Sequence, residues 1–163
     1  MGVLSCKMKK SKLILILVVG LIVVGGYMML GSSSSENLSL VKEAKATVYR
    51  SPNCGCCVNY IKYLQRQDIE VEVIETDEMD AIKDEQGIPQ DMLSCHTTII
   101  GGYVVEGHVP LEAVEKLLVE KPDIRGIAMP GMPSGSPGMP GLKSTFSVHS
   151  LMHDGGTSLF VKM

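Results

Sequence analysis

The stretch Ala46-Thr47-Val48-Tyr49-Arg50-Ser51-Pro52-Asn53-Cys54-Gly55-Cys56-Cys57 places three cysteines within four positions. They follow a strand-like run, Ala46 to Arg50, and precede a helix-like one, Val58 to Gln67. A thiol at a helix N-terminus meets free backbone N–H groups and the positive end of the helix dipole. Both favour thiolate, which is at once the nucleophile and the metal ligand. The segment is therefore suited to thiol redox chemistry or to binding a soft metal.

Working outward, the pattern alternates strand and helix. Val58, Ile61 and Leu64 recur at helical spacing, and Ile69 to Glu75 alternates apolar with acidic residues as a strand does. Met79 to Gln86 reads as a short helix stopped by Gly87. Thr97 to Ile100, Gly101-Gly102 and Tyr103 to Glu106 form a hairpin pattern. Pro110 opens a further helix with Leu111, Val114, Leu117 and Leu118 on one face. The order β-α-β-α-β-β-α, with cysteines in the turn after the first strand, predicts an α/β fold. It is a thioredoxin-like mixed sheet flanked by helices. From Gly126 to Gly141 the chain is dense in Gly, Pro and Met without periodicity. It closes on a hairpin pattern over Ser144 to Met152 and Thr157 to Lys162.

The 163 residues suffice for one modest domain. Leu13 to Leu30 is an uncharged apolar run of 18 residues preceded by Lys7, Lys9, Lys10 and Lys12. A helix needs about 20 such residues to cross a bilayer. The lysines assign residues 1–12 to the cytoplasm and the chain after Leu30 to the periplasmic or extracellular face. Segment length favours an uncleaved membrane anchor over a cleaved signal peptide. Residues 31–45, rich in serine, read as a flexible linker, and 46–163 as the folded domain. Beyond residue 30 there are 18 acidic and 11 basic side chains, net −7. Such a domain lacks the basic face that nucleic acid requires.

Cys6 lies on the cytoplasmic side, leaving Cys54, Cys56, Cys57 and Cys95 outside. Disulfides prefer a Cα separation of about 5.5–6 Å, whereas adjacent residues are about 3.8 Å apart. Structural staples would also spread their cysteines to close long loops. The clustering thus argues against a staple framework and for free thiolates. A C-x-x-C is present, but the extra Cys56 would scramble a simple dithiol by exchange. It helps if several soft sulfurs must be given to one metal. Cys95-His96 stands just before the third core strand, where redox-active thioredoxin-like proteins carry a cis-proline; here there is none. If the fold is as read, Cys95 or His96 faces the cysteine turn; otherwise they are a buried thiol and a hydrogen-bonded surface imidazole. His108 is a further candidate, as ligand or as support to one. Met129, Met132 and Met139 lie in the Gly/Pro loop, where neither helix nor strand explains them. Thioether selects Cu(I), and a plain linker is the competing reading.

Together "VYRSPNCGCCVNYIKYL", "GIPQDMLSCHTTIIGGYVVEGHVP" and "GIAMPGMPSGSPGM" resemble the exported copper-resistance proteins of the CopG type, also catalogued as a metal-binding domain of unknown function. The resemblance spans roughly Thr47 to Met139. It implies a thioredoxin-like fold and copper binding through Cys54, Cys56, Cys57 and Cys95, with His96, His108 and the three methionines in support. The chain departs from the family pattern in its membrane anchor. The expectation is a membrane-tethered, extracytoplasmic Cu(I)-binding protein serving copper resistance or handling, with other copper-handling proteins as partners. The alternative is a thiol-disulfide or copper oxidoreductase on the same fold.

Overall fold

A computed structural model describes residues 41–163. The basic tail, the apolar run and most of the serine-rich segment fall outside the described residues. Among the described residues, no helix is long and apolar enough to cross a membrane. The last part of the expected linker is packed rather than free: residues 41–43 are helical, Val41 is fully buried, and Ala44 lies against the core.

Seven strands form one mixed sheet. In chain order they are β1 (Ala46–Arg50), β2 (Val71–Glu75), β3 (His96–Ile100), β4 (Tyr103–Glu106), β5 (Gly126–Ala128), β6 (Ser147–Leu151) and β7 (Thr157–Lys162). Across the sheet they run β2-β1-β3-β4-β5-β6-β7. β1 pairs parallel with β2 and antiparallel with β3; β4 pairs antiparallel with β3 and parallel with β5. β6 and β7 are the terminal hairpin, antiparallel to β5 and to each other. Besides the helical residues 41–43, the described residues include α-helices α1 (Gly55–Gln65), α2 (Met79–Glu85) and α3 (Leu111–Glu120) and a 3-10 turn (Gln90–Met92).

Strand side chains alternate between faces, and the core divides accordingly. Val48, Ile100, Val105, Ile127 and Val148 join Tyr60, Ile61 and Leu64 of α1 and Val114, Leu117 and Leu118 of α3. Their strand neighbours Ile99, Val104, Ala128 and Leu151 pack instead with Ile88, Met92 and Leu93. Full burial of one such leucine or isoleucine contributes about 1.5–3 kcal/mol. The apolar spacing of α1 and α3 therefore suffices to fix both helices on one face of the sheet.

One strand was not visible in the sequence. Gly126–Ala128, expected as the start of an irregular loop, is fully buried and pairs with β4. A three-residue strand is too short to show a period. It exists because Gly126 lets the backbone pass close to β4: a Cβ there would lie 1.9 Å from the Val104 carbonyl oxygen. This strand delivers the methionine loop to the end of the sheet where the cysteines stand.

Candidate metal centre

The turn after β1 is shaped from below by Arg50. Its guanidinium donates to the carbonyls of Ser51 (3.0 Å) and Pro52 (3.1 Å) and is paired with Glu75 at the end of β2. Cys54 then serves as N-cap of α1, its sulfur accepting the Cys57 N–H at 3.3 Å. The expectation of a sulfur-bearing helix start is met. The expectation of free thiolates at all three positions is not: Cys54 and Cys57 form a disulfide. Adjacency forbids Cys56–Cys57, but the first helical turn brings the Cα atoms of positions i and i+3 to 5.4 Å, within disulfide range. Cys56 and Cys95 remain free thiols.

Those two thiols meet. Cys56 Sγ is 3.7 Å from Cys95 Sγ and 3.5 Å from Cys54 Sγ. Cys95 immediately precedes β3, and its sulfur lies 3.3 Å from His96 Nδ1 and 3.0 Å from His108 Nε2. Both imidazoles are fully buried. His108 Nδ1 is 2.7 Å from the Pro137 carbonyl oxygen. A carbonyl can only accept, so Nδ1 carries the proton and the Nε2 lone pair points at Cys95. Burial holds the pKa of His108 below the ordinary histidine range, partly offset by this hydrogen bond. His96 is held well below it by burial, with His108 and Lys83 adding to the effect. Its ring lies tilted against Tyr60, centroids 4.6 Å apart, and edge-on to His108 at 4.9 Å, and its Nε2 has no hydrogen-bond partner.

Burial, with the neighbouring Cys56 adding to the effect, pushes the Cys95 thiol up to about 12. The metal-free site is therefore electrically quiet: a thiol between two neutral imidazoles. A cation arriving there displaces the thiol proton. Cys54, Cys56, Cys57 and Cys95 offer ligand atoms within 4.8 Å of one another, and so do Cys95, His96 and His108. Cys95 belongs to both groups. Thiolate with imidazole suits copper or zinc and is a poor match for magnesium or calcium.

Two solved structures resemble this chain, "Copper resistance protein copG- Form 1" and "Form 2". The first is 40% identical, with a TM-score of 0.67, over 73% of this chain and 96% of that one. The second is 39% identical, with a TM-score of 0.69, over 74% and 98%. The chain belongs to the CopG copper-resistance family. Residues 92–139 also match the family described as "Protein of unknown function, DUF411". No curated protein matches.

The three methionines of this CopG-family chain separate in the structure. Met132 Sδ lies 3.8 Å from Cys56 Sγ, on a side chain that is 52% exposed. Met129 is buried in the main core. Met139 lines a surface cleft with Asn59, Lys62 and Tyr63 of α1 and with Arg66, the residue just past its C-terminal end. Sequence reading grouped them because they share a motif. The loop, however, points successive methionines at different neighbours. His149 pairs in β6 opposite Ala128, and exposed His153 lies 3.3 Å from Asp123.

Two buried charged residues close to the site escaped the sequence reading. Lys83 of α2 and Glu106 of β4 are buried and paired beneath the Ser94–Cys95 turn. The available signal was Glu106 itself, a carboxylate ending the otherwise apolar run Tyr103-Val104-Val105.

Proposed function

We propose that the protein binds copper as Cu(I), as cargo to be sequestered or passed on, in the service of copper resistance. One observation carries this reading. Cys95 Sγ stands 3.7 Å from a second free thiol and 3.0 Å from an imidazole nitrogen whose lone pair is aimed at it by the Pro137 carbonyl. Cys56, Cys95 and His108 are the primary donors in this reading. His96 lies on the buried side and Met132 at the exposed mouth. Cys54 and Cys57 add two sulfurs when their disulfide is reduced. The strand order β2-β1-β3-β4, with the cysteine turn after β1 and Cys95 before β3, supports a thioredoxin-like ancestry for this half of the sheet. The apolar run Leu13 to Leu30 supports a membrane tether with the domain outside the cytoplasm. The acidic surface beyond it is consistent with copper ions and copper-handling proteins, not nucleic acid, as partners.

The disulfide favours a second reading, a copper oxidoreductase. In that reaction two thiols lose two electrons and two protons to form the Cys54–Cys57 bond, while two Cu(II) become two Cu(I). Anaerobic Cu(I) titration of the disulfide and fully reduced forms tests the first reading. Reduced protein should take up more Cu(I), and Cys56→Ser or Cys95→Ala should lower affinity at least tenfold in the disulfide form. Unchanged affinity in both variants overturns it. Adding Cu(II) anaerobically to reduced protein tests the second. One thiol lost per Cu(I) formed supports a redox role, and intact thiols refute it.

A further inference from the structure

The Lys83–Glu106 pair is the most deeply buried charge in the described residues, and copper binding as read above makes no use of it. Glu106 has no exposed surface and Lys83 is only 5% exposed. Each carboxylate oxygen is occupied. Oε1 accepts from Lys83 Nζ and from the Ser94 N–H at 2.7 Å; Oε2 accepts from the Thr97 hydroxyl at 2.7 Å. Lys83 Nζ also donates to Thr97 Oγ1 at 3.1 Å. Desolvation makes such a pair a weak source of stability, and well-packed apolar residues of similar volume often serve as well or better. Stability is thus a poor reason for it to be there.

Its position offers a better one. Ser94 immediately precedes Cys95, and Glu106 stands two residues before His108. The strand ends are further tied by the Gly107 N–H donating to the His96 carbonyl at 3.0 Å. One carboxylate therefore spans the two segments that carry the facing donors. We propose that Glu106, neutralised by Lys83, is a positioning residue that holds Cys95 against His108 through the Ser94 amide. Without that acceptor the Ser94 N–H is orphaned beneath the turn, and the turn must shift to find another partner. Cys95 moves with it.

The inference rests on the copper reading, and two double variants separate them. Lys83→Met with Glu106→Gln removes both charges but keeps the bonds from residue 106 to Ser94 and Thr97: the amide oxygen can accept from the Ser94 N–H while the amide NH2 donates to the Thr97 hydroxyl. Lys83→Met with Glu106→Leu removes the charges and the acceptor together. Metal-free protein is examined first, by hydrogen exchange at amides 94–96. The Leu double should exchange at least tenfold faster there than the Gln double, with α1 and α3 equally protected in both. Cu(I) affinity by chelator competition should then fall at least tenfold in the Leu double and be rescued in the Gln double. The thiolate-to-metal absorption of bound Co(II) should weaken in parallel. Equal exchange, affinity and spectra in the two doubles overturn the positioning role. Wild-type protein that binds no Cu(I), with the exchange difference intact, overturns the copper reading and leaves the Glu106 tether standing.

Discussion

Gly138→Ala tests how the methionine loop is held against the metal centre. Gly138 has φ +81°, and a Cβ there would lie 2.7 Å from Tyr60 N and 3.0 Å from both Asn59 C and Tyr60 Cα. Those are backbone atoms of α1, and α1 cannot yield, because Tyr60, Ile61 and Leu64 are buried in the core. The loop must therefore lift. Left-handed backbone costs a non-glycine residue about 1–2 kcal/mol. Lifting also draws the neighbouring Pro137 carbonyl from His108 Nδ1, and orphaning that buried donor costs about 1–3 kcal/mol. The sum, about 2–4 kcal/mol after some relaxation, should lower Tm by roughly 8–16 °C for a domain of this size. Gly155→Ala is the control. Its φ is +85°, but nothing lies within 4 Å of its Cβ position, so it carries the backbone cost alone. Thermal melts of the metal-free variants and Cu(I) competition provide the assay. Gly138→Ala should melt below Gly155→Ala and bind copper more weakly; Gly155→Ala should bind as wild type does. Equal melting and equal binding of the two variants would refute the argument that the loop is seated on α1.

The methionines should separate in function as they do in position. Met132→Leu should weaken Cu(I) binding several-fold with Tm unchanged, while Met129→Leu should shift stability by less than about 1.5 kcal/mol and leave copper alone; the reverse pattern in competition assays and melts would exchange their roles. Stability of the metal-free protein should depend on pH through the buried imidazoles. Both have folded-state pKa values lowered by burial, so below the unfolded value of about 6.5 the unfolded chain binds protons that the folded chain does not. Their contribution is thus complete above about pH 6.5 and falls on acidification by up to about 1.4 kcal/mol per pH unit for each histidine. Melts from pH 7.5 to 5 should fall less steeply for His96→Gln than for wild type, and parallel slopes would discount His96.

Much of this arrangement is dictated locally and so could be read from the chain. The apolar spacing in α1 and α3, the glycine pair between β3 and β4, and the alternation of strand and helix each depend on neighbours within a few residues. Those neighbours also placed three cysteines at a helix start, and the order of elements brought Cys95 to the facing strand. His96 and His108 were candidates by residue type and place. Other features depend on contacts between distant segments, which no local pattern encodes. Gly126–Ala128 is a strand only because Val104 is beside it. Met132 reaches Cys56 while Met129 fills the core, because the loop's path is set by its seat on α1. The tautomer of His108 follows from a carbonyl 29 residues away. The Cys54–Cys57 bond lies between these cases: the spacing allowed it, and the first turn of α1 closed the distance. The sequence alone thus determined which soft donors exist and which end of the sheet they share. The tertiary structure decided which of them touch, because side-chain direction at a few ångströms is set by packing across the sheet.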